Sequence, residues 1–172
     1  METSATLRAG VALGSNLGDR MANLRAAREQ ISDLAPVQPP LLSSGLYETE
    51  PVGCEPGAGP FLNAVIEFGF SEEAEQLLES LRDIERALGR PPAHPRNTSR
   101  TLDLDLLYLG EARIQSPALQ LPHPRLHERR FVLEPLADIR PDLVLPTHAE
   151  TVSVLLQRLA ETPPLVRIAS EW

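Results

Sequence analysis

Two aspartates alternate with leucines in Arg100-Thr101-Leu102-Asp103-Leu104-Asp105-Leu106-Leu107. Strict alternation of this kind sends Leu102, Leu104 and Leu106 to one face of a strand and Asp103 and Asp105 to the other. At i and i+2 the two Cα atoms lie ~6.5–7 Å apart, close enough for the carboxylates to repel each other and to clamp hard cations between them. Asp is disfavoured in strands, so the pair needs a reason. A solvated strand face is one reading and a divalent-metal site is the other. Guanidinium groups crowd both flanks: Arg90, Arg96 and Arg100 precede the pair, and Arg125, Arg129 and Arg130 follow it. Two magnesium ions with arginines are the equipment of phosphoryl transfer from a nucleotide, where catalysis is mostly positioning and charge neutralisation.

All 16 basic residues are Arg. The lack of Lys excludes a Walker-A loop, a Schiff-base enzyme and the protein-kinase lysine together. Any phosphate is therefore handled by guanidinium and metal. The formal net charge of −8, with four Phe, two Tyr and one Trp as the only stacking platforms, argues against a nucleic-acid partner. His123 and His127 are four residues apart, a spacing that can bind zinc on a helix, but Pro124 interrupts the helix and no third ligand is evident. A phosphate or hydroxyl contact suits His123 better, with a structural turn histidine as the plain alternative.

The elements that must carry these residues follow from periodicity. Leu7 to Leu13 reads as a strand stopped at Gly14-Ser15-Asn16-Leu17-Gly18. Met21, Leu24, Ala27, Ile31 and Leu34 recur at helical spacing, and Pro36, Pro39 and Pro40 forbid continuation. Leu41 to Tyr47 is a second strand, followed by a long loop through Glu55-Pro56-Gly57-Ala58-Gly59-Pro60. Phe61 to Phe70 alternates Leu62, Ala64, Ile66 and Phe68 against Asn63 and Glu67, a third strand. A helix capped by Ser71 carries Leu77, Leu78, Leu81, Ile84 and Leu88 as its stripe and ends at Gly89. The proline-rich stretch 90–99 is a surface loop before the strand Thr101 to Leu109, with Ala112 to Ile114 as a short partner strand. Short helices are expected over Arg125 to Leu136 and, behind Thr151, over Val152 to Leu159, with a last strand near Leu165 to Ile168. Strand, helix, strand, strand, helix, strand is the split βαβ order. It predicts an α+β, ferredoxin-like antiparallel four-stranded sheet with both helices on one face, extra C-terminal elements, and the other face free for a site.

Length and composition agree with a single domain over 1–172: hydrophobic residues are 42% and charged ones 23%, a globular balance. The longest apolar runs are far below the ~20 residues of a bilayer crossing, so no membrane is expected. No secretory pattern opens the chain, and the single Cys54 cannot form an internal disulfide; a reducing cytoplasm is the expected compartment.

Taken as a set, Ala12-Leu13-Gly14-Ser15-Asn16-Leu17-Gly18-Asp19, Phe61-Leu62-Asn63-Ala64, Arg100 to Leu106, and Leu121-Pro122-His123 followed by Arg129-Arg130-Phe131-Val132-Leu133-Glu134-Pro135-Leu136 resemble the 6-hydroxymethyl-7,8-dihydropterin pyrophosphokinase family of folate biosynthesis, from about Val11 to about Pro146. The resemblance implies transfer of pyrophosphate from ATP to the hydroxymethyl group of the dihydropterin, releasing AMP; a monomer is expected. It implies that Asp103 and Asp105 bind two Mg2+ ions and that Arg100, with Arg96, stabilises charge on the transferred group. Asn63 is implied to read the amide edge of the pterin, with Phe61 and Phe131 as aromatic walls and Thr49 and Val52 in a loop whose backbone binds the same ring. Buried core phenylalanine is the plain alternative for both aromatics. Arg100, His123 and Arg129 are implied nucleotide contacts, with Glu85, Leu106 and Gln120 as lesser ones. The chain departs from the family in its 90–99 loop, where Pro92, Ala93 and Asn97 stand in place of the usual basic residues and tryptophan. Two other classes remain on the residues alone: a non-enzymatic regulatory module, which leaves the Asp pair and arginines without a task, and a nucleic-acid module, which the charge opposes.

Overall fold

The computed structural model describes residues 5–89, 99–161 and 164–172. Its centre is built from the two longest strands. β1 (Leu7–Ser15) and β4 (Phe61–Phe70) pair antiparallel without a break from Leu7↔Phe70 to Ser15↔Leu62. β5 (Asp103–Leu109) lies antiparallel along the other side of β1, and β3 (Leu46–Thr49) along the other side of β4. α1 (Arg20–Ser32) starts at Asp19, whose carboxylate accepts the Ala22 amide at 3.0 Å, and buries Leu24, Ala27 and Ile31. α2 (Ala74–Ala87) buries Ala74, Leu77, Leu81 and Ile84. Both helices share one core with Leu13, Ala64, Ile66, Phe68, Leu104 and Leu106. The order β5-β1-β4-β3 with two helices on one side is the expected ferredoxin-like frame.

Several features differ from the sequence reading. Among the described residues the sheet has six strands rather than four. The expected strand 41–47 is split at Ser44-Gly45 into β2 (Val37–Ser43) and β3, and both pair with β4. Ser44 breaks the ladder because its hydroxyl accepts the Val65 amide at 2.9 Å. β8 (Leu165–Ala169) adds the sixth strand outside β3. α2 is capped not by Ser71 but by Glu73 and Gln76 in a reciprocal capping box. The partner strand expected at 112–114 is β6 (Ile114–Gln115), and it pairs with β7 (Gln120–Leu121) in a separate hairpin, not with β5. The helix expected over 125–136 is a 3-10 turn, Leu126–Glu128, followed by α3 (Arg130–Ile139). α4 (Val152–Gln157) is capped by Thr151 as expected.

The second face of the sheet is not free over its whole length. α3 lies on it, with α4 against α3, and Val132, Leu133 and Leu136 form a second buried cluster with Val65 and Leu107. Among the described residues, the end of this face that carries Asn63, Asp103 and Asp105 lines a cleft. A register shift where β1 residues Gly10 and Val11 meet β5 turns Leu107 and Tyr108 toward the same side, and the Tyr108 ring fills the space over Gly10, where a Cβ would come within 2.3 Å of it. No described helix is long and apolar enough to cross a membrane.

Candidate active site

The antiparallel ladders put four residues in one row across the sheet: Tyr47 opposite Asn63, Asn63 opposite Gly14, and Gly14 opposite Asp103. With strands ~4.8 Å apart, Asn63 and Asp103 are ~10 Å from each other across a floor made by Gly14. A Cβ on that glycine would sit 3.6 Å from Asn63 Oδ1 and 3.9 Å from Asp103 Cβ, so its absence keeps the floor low between the two side chains. Asn63 is buried and donates from Nδ2 to Thr49 Oγ1 at 2.9 Å, which leaves its second N–H and its Oδ1 for a ligand.

A cleft of about 980 Å³ opens over this row. Thr49, Val52, Phe61, Asn63, Arg100, Asp103, Asp105, His123, Arg129 and Phe131 all line it. A smaller cavity of about 260 Å³ adjoins it, lined by Leu106 and Gln120 among others, and the two share Asp105, His123 and Pro124. Glu85 lines neither; its Oε1 accepts the Leu104 amide at 2.7 Å, tying α2 to the strand between the two aspartates. Arg96 lies outside the described residues. The sequence reading did not single out Glu50, Cys54 or Glu128 at the cleft, nor Leu159, Ala160 and Leu165, which reach it only through the C-terminal packing. Arg125 and Arg130, noted above only for their charge, line it too.

Each of the two carboxylates faces an arginine. Arg100 is 3.3 Å from Asp103 Oδ2 and lies over the Phe61 ring, while Arg129 is 3.6 Å from Asp105 Oδ2 and lies over the Phe131 ring, each guanidinium 5.7 Å from the ring centroid. Arg100 is held through its backbone by Asn16, a buried residue at the end of β1. Asn16 accepts the Arg100 amide at 2.8 Å through Oδ1 and donates from Nδ2 to the Gly59 carbonyl and the Ser99 hydroxyl, each at 3.2 Å. Glu55, in the loop that follows Val52, accepts the Ser99 amide at 3.1 Å, and hydrogen bonding from the Ser99 hydroxyl, more than from that amide, draws its carboxyl below the usual range.

Asp103 and Asp105 are hard oxygen donors on one strand face with about a third of each side chain exposed, and no cluster of three or more His, Cys, Asp or Glu side chains forms a metal cage among the described residues. That donor set fits Mg2+, which takes one or two carboxylates and completes its shell with water and substrate phosphate, and does not fit zinc.

His123 is fixed at two points: its amide donates to the Leu107 carbonyl at 2.8 Å and its Nδ1 accepts the Arg125 amide at 3.2 Å. The ring proton therefore sits on Nε2, a donor at the junction of the two cavities. Burial, then the charges of Arg129 and Arg125, lower its pKa to about 4. A folded pKa below the unfolded value of ~6.5 means that the unfolded chain binds the proton first. Stability associated with this ring is thus complete above pH ~6.5 and is lost as pH falls toward 4. Denaturation midpoints measured between pH 7 and 4 are expected to fall less steeply in His123→Gln than in the natural protein.

A family model described as 7,8-dihydro-6-hydroxymethylpterin-pyrophosphokinase matches residues 10–141. The chain is 45% identical over 129 residues, 75% of each chain, to a 2-amino-4-hydroxy-6-hydroxymethyldihydropteridine pyrophosphokinase of Bacillus subtilis. It is 36% identical over 156 residues, 90% of this chain and 94% of the other, to the Haemophilus influenzae protein of that name. A folate synthesis bifunctional protein of Arabidopsis thaliana is 40% identical over 139 residues, but the match spans only 28% of that longer protein. Among solved structures, Plasmodium falciparum HPPK-DHPS with pterin and p-hydroxybenzoate superposes with a TM-score of 0.67 at 14% identity, over 91% of this chain and 44% of that one. At that identity the likeness speaks for the fold, and the chain spans less than half of the two-part protein.

Proposed function

The chain belongs to the 7,8-dihydro-6-hydroxymethylpterin-pyrophosphokinase family and transfers pyrophosphate from ATP to the hydroxymethyl group of 6-hydroxymethyl-7,8-dihydropterin in folate biosynthesis, and we propose that it does so in the cleft over Asn63, Gly14 and Asp103. The observation that carries this site reading is that Asn63, two phenylalanines, two aspartates and several arginines line one cavity.

In this reading the pterin ring lies between Phe61 and Phe131 with its amide edge on Asn63 and the backbone of the Thr49 to Val52 segment. Asp103 and Asp105 hold two Mg2+ ions, which when bound supply charge neutralisation along the triphosphate. Arg100 and Arg129 take the phosphate oxygens, and the shared edge of the two cavities at His123 places a neutral N–H donor beside them. The smaller cavity, with Leu106 and Gln120, takes the rest of the nucleotide. Arg96 is read as a further charge stabiliser. Glu85 acts at one remove, by fixing the strand that carries the aspartates.

The chemistry needs no protein nucleophile. The hydroxymethyl oxygen forms a bond to the β-phosphorus and gives up its proton to water, the bond from that phosphorus to the α–β bridging oxygen breaks, and AMP leaves with the bridging oxygen. The protein's share is to align the attacking oxygen and to stabilise charge that builds on the transferred group. The whole chain is read as one pyrophosphokinase domain, acting as a monomer in a reducing compartment, a setting that its lone Cys54 supports.

AMP release from ATP and the dihydropterin tests the metal assignment. Turnover is expected with Mg2+ and is expected to disappear when the ion is chelated and to return when it is restored. Full turnover in excess chelator would overturn the role of Asp103 and Asp105.

A further inference from the structure

Glu67 is a carboxylate with no place in the chemistry above, yet it is only 1% exposed in the middle of the sheet. On β4 it faces the same side as Asn63, four residues further along. Four groups satisfy it or its partners: Tyr108 OH donates at 2.5 Å, Arg8 Nε at 2.9 Å, and one guanidinium nitrogen of Arg140 at 2.7 and 2.9 Å to its two oxygens, while Arg8 also donates to the Pro40 carbonyl. Burial alone would raise this carboxyl, but the bonds from Tyr108, Arg140 and Arg8 together hold it below the ordinary carboxylate range.

Arg140 is the C-cap residue of α3, whose opposite end carries Phe131. Two lengths then match. From Asn63 to Glu67 is four strand residues, about 13 Å. From Phe131 to Arg140 is nine helical residues, about 14 Å. Strand and helix lie against each other along that span, because Val65 is buried in one cluster with Val132, Leu133 and Leu136. The tie between Glu67 and Arg140 at one end therefore sets where Phe131 stands relative to Asn63 at the other. A second tie secures the same helix end to the neighbouring strand: Asp138 accepts the Gly45 amide at 3.0 Å and the Tyr47 hydroxyl at 2.9 Å, and Tyr47 is the register partner of Asn63.

Apolar packing between Val65 and the leucines of α3 is non-directional and tolerates sliding along the helix axis. A buried charge held by several hydrogen bonds does not, since any slide leaves it unpaired. An ion pair in this position is a poor source of stability compared with apolar residues of the same size, and a good source of a unique register.

We propose that Glu67 and Arg140 are positioning residues for pterin binding: they lock α3 lengthwise on β4 and so fix the spacing of the aromatic wall Phe131 above the amide reader Asn63. The proposal rests on the reading of Phe131 and Asn63 as the pterin site. Its larger effect falls on the pterin, because Phe131 stands on α3 itself, whereas of the nucleotide contacts only Arg129, the N-cap of α3, lies on the span that α3 controls and the smaller cavity with Gln120 does not.

Steady-state AMP release in Arg140→Met and in the double variant Glu67→Met/Arg140→Met tests it, with Phe131→Ala assayed beside them. The two variants cover each other: in Arg140→Met the carboxylate of Glu67 keeps its bonds from Tyr108 and Arg8, while the double variant removes the buried charge itself at the cost of the acceptor of the Tyr108 hydroxyl. The expected result is a pterin KM raised about tenfold in both, since small misplacements at a site carry large effects, with the ATP KM raised several-fold less because only Arg129 among its contacts rides on α3. Arg140→Lys is expected to recover most of the loss. A purely structural role predicts instead a fall in kcat from a smaller folded fraction, with both KM values unmoved, and that result overturns the proposal. A pterin KM that stays at the natural value in the double variant while Phe131→Ala raises it overturns the lock and leaves the site reading standing. An unchanged pterin KM in Phe131→Ala overturns the wall, and the lock with it.

Discussion

Asp105→Asn is expected to lower kcat by about 10³-fold, with Asp103→Asn close behind, a loss of about 4 kcal/mol of transition-state stabilisation. The change keeps the shape of the side chain and removes one negative charge, so the hard-oxygen site loses its strongest donor while the strand keeps its ladder. The fold should survive, because both carboxylates are partly exposed and the arginines beside them, 25% exposed at Arg129 and 18% at Arg100, can turn to solvent. Two measurements separate the causes. Magnesium affinity in the presence of a non-hydrolysable ATP analogue, by calorimetry, should weaken in each variant. Far-ultraviolet dichroism and the denaturation midpoint should stay near those of the natural protein. Retained turnover in both variants, with folding intact, would mean that the acidic pair is a solvated strand face after all.

The second large effect concerns the other end of the same row. Asn63→Leu keeps volume and removes the amide, so the pterin loses its hydrogen-bonding partner and desolvates its own polar edge against a methyl group. Sites built to pair a polar edge reject the unpaired combination by large factors, and kcat/KM for the pterin is expected to fall by about 10²- to 10³-fold. Thr49 loses its partner as well, since its hydroxyl accepts from Asn63 Nδ2 at 2.9 Å. The ATP KM should not move, and that contrast is the check: a variant that loses affinity for both substrates has lost its fold or its cleft, not its reader.

Much of this arrangement was legible before any coordinates. Alternation alone placed Asp103 and Asp105 on one face of a strand, and the same alternation set Asn63 apart from Leu62 and Ala64. What it could not tell is that Asn63 and Asp103 share a row with Gly14 between them, because register across three strands depends on pairing that no local pattern records. The split of the 41–47 strand was hidden for a related reason. Ser44 ends the ladder through a hydroxyl bond to Val65, 21 residues away, while Leu41, Leu42, Leu46 and Tyr47 on either side of it keep the composition of a strand. The polar cap of α2 was misassigned to Ser71 because a serine before an acidic turn is the commoner signal, whereas Glu73 and Gln76 reach the same end by a longer side chain. The buried ion network around Glu67 draws on residues 59 and 73 positions away, and Glu67 alone looked like an ordinary outward polar residue.

The irregularity beside Gly10 has an outcome for engineering. A perfect strand obeys an odd-even rule from end to end, so whatever parity suits the acids at its start would dictate the parity of its finish. By admitting one unpaired residue, β5 resets the count: Asp103, Asp105 and Leu107 keep odd parity, and Tyr108 joins them on the same side although its number is even. The two halves can therefore evolve independently, the first answering to phosphate chemistry and the second to the packing beneath α3. Excising Leu107, the unpaired residue, would straighten the ribbon with the acids and Tyr108 still in register against β1, at the cost of a buried leucine beneath α3 and of the carbonyl to which the His123 amide donates.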